Sequence, residues 1–309
     1  MQILNNNILS KLVNILFNYK HNIVISKIYS VVLLFLVLLR RLRVRFTSKV
    51  YLKNGQFFLA DISNSQFHDC LMGGSYEEHL LLVLKKIGFN GNEYFCDIGS
   101  NWGFHSINVL ETFDTSKVIC IEPNFSIFKQ LEDYISQIGA NDRAILHNVG
   151  LGHGDFSASI GNGFLHSGLG ETIEKTNLNL REKMKRYFTH SKDFQVKQGD
   201  GLLSDFSINV IKIDAEGYEL KILSGMQELI SRQKPIIFFE FNQMHHVSLD
   251  AFTGHFRNLD YRIYKFSNDI GFYRYQNVDS PLDLLVAVHN ENEILKDNLF
   301  SLNKKFYET

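Results

Sequence analysis

EYFCDIGSNWGFHS, residues 93–106, reads as a buried strand that runs into an acid, a glycine-framed turn and the start of a helix. Tyr94, Phe95 and Cys96 supply the strand, Asp97 closes it, Gly99 and Gly103 bracket the turn, and Phe104 opens the helix. Glycine suits such a turn because, without a Cβ, its backbone takes φ > 0 and lets a ligand approach closely. The N–H groups at the start of the helix, aided by its dipole, then favour an anionic group.

A strand, glycine turn and helix can cradle a dinucleotide pyrophosphate when the turn reads GxGxxG. This chain instead has DxGxxxG, from Asp97 to Gly103. That roomier turn suits a smaller anion, the carboxylate of an amino-acid-like ligand, with Ser100 and Asn101 inside it and Asp97 available for polar or cationic parts. A second apolar strand, VICIE at 118–122, ends in Glu122, where an α/β fold of this type places an acceptor for ribose hydroxyls. A ribose together with an amino-acid carboxylate points to S-adenosylmethionine rather than NAD.

Four blocks, DIGSNWGFHS, IEPN (121–124), IKIDAEGYELKILSG (211–225) and KPIIFFEF (234–241), occur in an order and at separations that resemble the FkbM family of S-adenosylmethionine-dependent methyltransferases. KIDAEGYELKIL is the specific block; DxGxxxG alone is weak. The resemblance runs from about Gly74 to Asn290 and leaves out roughly the first fifty residues. It implies a Rossmann-like class I methyltransferase fold: a seven-stranded, mostly parallel sheet with helices on both faces. It implies cofactor contacts from Asp97, Gly99, Ser100, Asn101, Gly103 and Glu122. By the same resemblance, Asn148 at the end of a third strand (144–150) lies against adenine. Tyr76-Glu77 precedes the first strand near the cofactor in that family; a helix covering the sheet is the competing reading for the pair.

Further acids stand at the ends of two more apolar strands. NVIKID (209–214) ends in Asp214, and KPIIFFEF carries Glu240 near its carboxyl end. Ligands of an open parallel sheet bind beyond those ends, so Asp97, Glu122, Asp214 and Glu240 are expected along one edge. Methyl transfer from a sulfonium needs in-line placement above all. A hydroxyl acceptor has a high pKa, so a base that takes its proton as the bond forms also helps. Asp214 is the first choice for that base, or for orienting the acceptor, and Glu216 the second. Glu216 is equally readable as a helix cap, and His245-His246 as an alternative base or an exposed loop pair. Asp214, Glu240 and Asn242 would also suit Mg²⁺, but the spacing does not demand a divalent metal and none is expected.

With 309 residues, 45% of them aliphatic or aromatic, the chain holds a full α/β core with extensions. Cys70, Cys96 and Cys120 have no metal-type spacing, and the two in strands read as small buried hydrophobes. The net charge of −1 hides an asymmetry. Residues 1–53 carry nine Lys/Arg and no acid, which leaves 23 of the 32 basic residues against all 33 acidic ones in the rest. A basic leader on an acidic body argues against nucleic acid as partner and fits contact with anionic lipid.

The leader, residues 1–45, has helical apolar spacing from Ile8 to Leu16 and an apolar run over 28–39, followed by RRLRVR (40–45). Twelve helical residues reach only ~18 Å, short of the ~30 Å hydrocarbon core. A helix lying on a membrane, a helix packed on the protein, and a span all stay open; a signal peptide is disfavoured because arginines follow the apolar run. The expected location is cytoplasmic, with peripheral contact at the cytoplasmic membrane face.

Residues 46–90 read as a hairpin about Asn54-Gly55 and a helix over 74–88 with Ser75 as N-cap, ahead of the cofactor domain at 91–290. Pro123 opens the helix after Glu122. The seven glycines of 150–170 suggest a hairpin or loop over the site's edge, either gating substrate or plain surface. Residues 171–191 read as a solvated helix or insertion with the wet basic run REKMKR (181–186), and 291–309 as a polar helix or tail. The last two strands are expected at 259–266 and 282–289, the second antiparallel. The resulting function is O-methylation of a sugar, glycolipid or other glycoconjugate hydroxyl. An NAD-dependent oxidoreductase and a silent membrane-attached binding subunit are the alternatives.

Overall fold

The computed structural model describes residues 3–5, 45–51, 57–61, 78–86, 88–89, 93–160, 172–174, 192–242, 248–267, 271–274 and 282–292. The chain divides into two compact units, one of residues 1–78 with 164–167 and the other of 79–163 with 168–309. In the first, β2 (Arg45–Tyr51) pairs antiparallel with β3 (Phe57–Asp61), the ladder ending at Tyr51 opposite Phe57 as a hairpin requires. Residues Ile3–Asn5 form β1, parallel to the start of β2. The leader stretches expected to be helical, Asn54-Gly55, Ser75, Tyr76-Glu77 and Cys70 lie outside the described residues.

The second unit is built on an eight-stranded sheet. Along the chain its strands are β4 (Tyr94–Ile98), β5 (Lys117–Ile121), β6 (Ala144–His147), β11 (Ile208–Ile213), β12 (Ile236–Asn242), β13 (Tyr261–Ser267), β14 (Gly271–Arg274) and β15 (Leu282–His289). They lie in the order β14-β13-β15-β12-β11-β4-β5-β6. Strands β12, β11, β4, β5 and β6 are mutually parallel, and β15 is antiparallel to both its neighbours. Seven are the strands the sequence predicts. The eighth, β14, extends the β13 edge as an antiparallel hairpin partner. It escapes sequence reading because GFYR is too short to show a period.

The parallel strands are apolar almost throughout because both faces are covered. On one face Ile98, Ile121, Ile213, Phe239 and Phe241 pack with the helices α5 (Glu219–Ser224), α6 (Gln227–Gln233) and α7 (Leu249–Asn258). Phe239 stacks on Phe252 of α7 at 5.0 Å. The other face carries Asp97 and Cys120, which meet Ser106 of α2 (Phe104–Thr112). The helix α3 (Phe125–Gln137) starts later than the proline suggests: Asn124 is its N-cap, its side chain accepting from the Ser126 N–H at 3.1 Å, and Pro123 stands outside. The helix before the first strand, α1, covers Glu78–Lys86, a shorter span than expected.

Between β6 and β11 the chain makes a second sheet from β7 (Gly150–Gly152), β8 (Phe156–Ile160), β9 (Thr172–Glu174) and β10 (Lys192–Gln198), which lie in the order β7-β10-β8-β9. Thr172–Glu174 is thus a strand where a helix or insertion was expected. In β10, Phe194 and Val196 alternate with exposed Asp193 and Gln195, packing on Ala158 while water takes the other side. Residues 161–171, 175–191 and 293–309 lie outside the described set, including the basic run and the C-terminal helix or tail. A short helix, α4 (Gly199–Leu202), follows β10, and its Asp200 accepts the Glu228 and Leu229 N–H groups at the start of α6.

Candidate active site

The order of strands reverses between β4 and β11, and the carboxyl ends of β4, β5 and β11 converge there. After β4 the chain turns back tightly. Gly99 (φ +74), Asn101 (φ +51) and Gly103 (φ +85) all take the left-handed conformation. A Cβ on Gly99 would stand 1.8 Å from the carbonyl oxygen of Asp214, so this glycine is required by the contact between β4 and β11. Gly103 occupies the N-cap of α2 with no side-chain cap.

Several of the turn's amides are taken inside the fold. Gly99 and Ser100 N–H both donate to the Ile121 carbonyl (2.9 and 3.1 Å), and Gly103 N–H to Ser100 (2.8 Å). Asn101 N–H donates to Glu122 Oε2 at 3.0 Å, and Asn124 N–H to Oε1 at 2.7 Å. The buried Glu122 carboxyl is therefore fixed by two backbone donors. Burial pushes its pKa up to about 7; the two N–H groups pull it down, and Asp97 and Asp214 push it further up. Asn148 donates to the carbonyls of Glu122 (2.8 Å) and Pro123 (3.2 Å), bracing the segment that carries the acid. The Ser100 hydroxyl, in a residue 4% exposed, has no protein partner.

Asp97 is only 1% exposed, and one of its oxygens is used inside the fold: Ser106 Oγ donates to Oδ2 at 2.7 Å. Lys212 Nζ stands 3.9 Å from Oδ1 and 3.1 Å from Asp214 Oδ2. Asp214 follows β11 directly and its N–H donates to Ile98 at 3.0 Å, tying it to the start of the turn. Its side chain remains 26% exposed.

The next residues make a second strained turn, with Glu216 at φ +51 and Gly217 at φ +94. Glu216 does not cap the helix. The helix has no side-chain cap; Glu219, its first residue, instead ties the preceding turn, its Oε1 accepting from Ala215 N–H (2.9 Å) and Gly217 N–H (3.1 Å). Burial, then Asp214 and Glu219, raise Glu216 to about 7, with Lys212 opposing. Burial likewise raises Glu240, followed by Asp214, Glu216 and Glu219. Its Oε2 has no hydrogen bond.

The structure thus brings Asp97, Glu122 and Asp214 within electrostatic reach, with Glu216 and Glu240 beside Asp214. His245-His246 lie outside the described residues. Among the described residues no three His, Cys, Asp or Glu are grouped to hold a metal ion, and no helix is long and apolar enough to cross a membrane. Cys96 and Cys120 are buried free thiols. Sequence reading misses Lys212, Ser106 and Glu219. A lysine between two isoleucines near the end of the strand INVIKI was the available signal, since a buried ammonium requires carboxylate partners.

The strand order, with β15 reversed, together with an acid-headed glycine turn and an acid closing the next strand, defines a class I methyltransferase fold. The chain belongs to the FkbM methyltransferase family: the methyltransferase FkbM domain matches residues 97–263, more than half of it. No curated protein matches significantly. Among solved structures, the methyltransferase FkbM from Methylobacillus flagellatus KT is 19% identical, over 65% of this chain and 44% of its own, with a TM-score of 0.43. The chain therefore spans less than half of that relative. A precorrin-6y C5,15-methyltransferase from Geobacter metallireducens GS-15 is 13% identical over 70% of this chain and 89% of its own (TM-score 0.38). Magnesium protoporphyrin IX methyltransferase from Synechocystis PCC 6803, with bound SAM, is 8% identical over 69% and 77% (TM-score 0.40).

Proposed function

We propose that the chain is an S-adenosylmethionine-dependent methyltransferase that methylates a hydroxyl of a sugar, glycolipid or other glycoconjugate precursor. The observation that carries the cofactor reading is the Glu122 carboxyl, held by the N–H groups of Asn101 and Asn124 beside a turn whose Ser100 hydroxyl is buried without a partner. Each Glu122 oxygen keeps a lone pair for a ribose hydroxyl, and Ser100 Oγ can bond a polar group of the ligand. Asp97, Gly99, Asn101 and Gly103 shape the pocket, and Asn148 supports its adenine side. The cofactor supplies an electrophilic methyl on a sulfonium. Asp214 takes the acceptor proton as the new carbon–oxygen bond forms, with Glu216 as second choice.

Calorimetry with S-adenosylhomocysteine and NAD tests this reading. Binding of the first and not the second is expected; the reverse would replace it with an oxidoreductase. The bound ribose prefers ionised Glu122, whose pKa stands near 7. Affinity should therefore be full above that value and fall about tenfold per pH unit below it. A flat profile from pH 5.5 to 8 would remove Glu122 from the ribose. Tight cofactor binding with no glycan or lipid one methylene lighter in a deletion strain would favour the silent subunit.

The acceptor class rests on the family together with the leader, whose nine Lys/Arg and absence of acids over 1–53 suit peripheral contact with anionic lipid. Co-sedimentation with phosphatidylserine vesicles, lost on raising salt, is the expected result. Equal recovery with phosphatidylcholine vesicles would set the membrane aside.

A further inference from the structure

We propose that Lys212 is a positioning residue of this site: a buried ammonium shared by Asp97 and Asp214 that fixes the Asp214 carboxylate against the head of the cofactor turn. The inference rests on the reading of Asp214 as the group facing the acceptor.

In the sheet Lys212 stands opposite Asp97 on one side and Phe238 on the other, so all three side chains leave the same face. Lys212 is 3% exposed. An ammonium this deeply placed is unfavourable unless carboxylates surround it, and a strand packed only for stability would carry an aliphatic residue here.

The carboxylates form an ordered chain. Cys120 Sγ donates to Ser106 Oγ at 3.2 Å, and Ser106 Oγ donates to Asp97 Oδ2 at 2.7 Å. That leaves Asp97 Oδ1 facing the ammonium at 3.9 Å, while the ammonium donates to Asp214 Oδ2 at 3.1 Å. Asp97 heads the glycine turn and Asp214 closes β11, so Lys212 ties the cofactor side of the site to the acceptor side. With Oδ2 engaged, Asp214 presents its other oxygen to the partly exposed edge.

The same cation offsets a wider group of acids. Glu122, just after β5, feels Asp97 and Asp214; Glu216 in the turn after β11, Glu219 at the start of α5, and Glu240 on β12 feel Asp214. Lys212 opposes the upward push on Glu216 and Glu240. Without it, Asp97 and Asp214 would face each other across adjacent strands with no cation between them.

The test compares Lys212→Met and Lys212→Arg with the unaltered protein by side-chain carboxyl ¹³C spectra, with Asp214 assigned through Asp214→Asn. In Lys212→Met the Asp214 carboxyl resonance should move away from its position in the unaltered protein, and Lys212→Arg should restore most of the difference. An Asp214 resonance at the same position in all three proteins would overturn the proposal. Should Lys212→Met fail to fold, the ¹⁵Nζ resonance of Lys212 in the full chain serves instead: it should shift on Asp214→Asn, and an unmoved resonance would overturn the proposal. Neither readout uses an acceptor or a cofactor. Failure of S-adenosylhomocysteine to bind the unaltered chain would count against the cofactor reading and leave this coupling standing.

Discussion

Gly99→Ala should lower the stability of the chain by about 3–5 kcal/mol, enough to leave little folded protein at 37 °C if the fold is ordinarily stable. Two costs combine. Gly99 sits at φ +74, where a Cβ meets its own carbonyl, a strain of roughly 1–2 kcal/mol. The added Cβ would also lie 1.8 Å from the Asp214 carbonyl oxygen and 2.9 Å from its carbon. Both are backbone atoms, and the Asp214 N–H is hydrogen-bonded to Ile98, so the obstacle cannot rotate away as a side chain would. Relief requires parting β4 from β11 at the point where the site is assembled. Gly139→Ala isolates the first cost. Gly139 has φ +68, but nothing lies within 4 Å of a Cβ built there, so its loss should stay at about 1–2 kcal/mol. Urea midpoints of the two variants measure the difference; equal losses would mean that β4 and β11 do not approach as closely as described.

The glycine at the head of this turn was legible because DxGxxxG after an apolar strand leaves few other geometries. The strands of the main sheet were legible for a related reason: parallel strands covered on both faces are continuous apolar runs, and VICIE, NVIKID and KPIIFFEF stand out as such. The second sheet was not. Its strands are separated by intervening segments, and β7 is two glycines around a leucine. Within the site, residue types were readable and partners were not. Four acids at strand ends could be assigned to one edge, but that Asp97 would spend one oxygen on Ser106, and that Glu219 rather than Glu216 would tie the turn, depends on three-dimensional approach. Nor could the sequence show that the N–H groups of Gly99, Ser100 and Asn101 are taken inside the fold by Ile121 and Glu122 at the end of β5.

Asp214→Asn should reduce methyl transfer to the physiological acceptor by roughly 10²–10⁴-fold, the usual contribution of a positioned base, while the fold and cofactor binding survive. Asparagine keeps the size of the side chain and can still accept from Lys212 through its amide oxygen, so the backbone bond to Ile98 and the join between β4 and β11 have no reason to change. What it cannot do is take a proton from a hydroxyl. Its effect on the cofactor has the opposite sign. The Asp214 charge is among those that raise Glu122, so removing it lets Glu122 ionise at lower pH. Affinity for S-adenosylhomocysteine near pH 6 should therefore hold or increase slightly, whereas a residue that bound the cofactor directly would lose affinity. The acceptor for this assay is the glycan or lipid found one methylene lighter when the protein is deleted, and single-turnover rates with saturating cofactor read the chemical step. A rate within threefold of the unaltered protein would show that Asp214 is not the base and pass the role to Glu216. Its pKa near 7 leaves a large fraction ionised at neutral pH, and Glu216→Gln would then have to carry the loss.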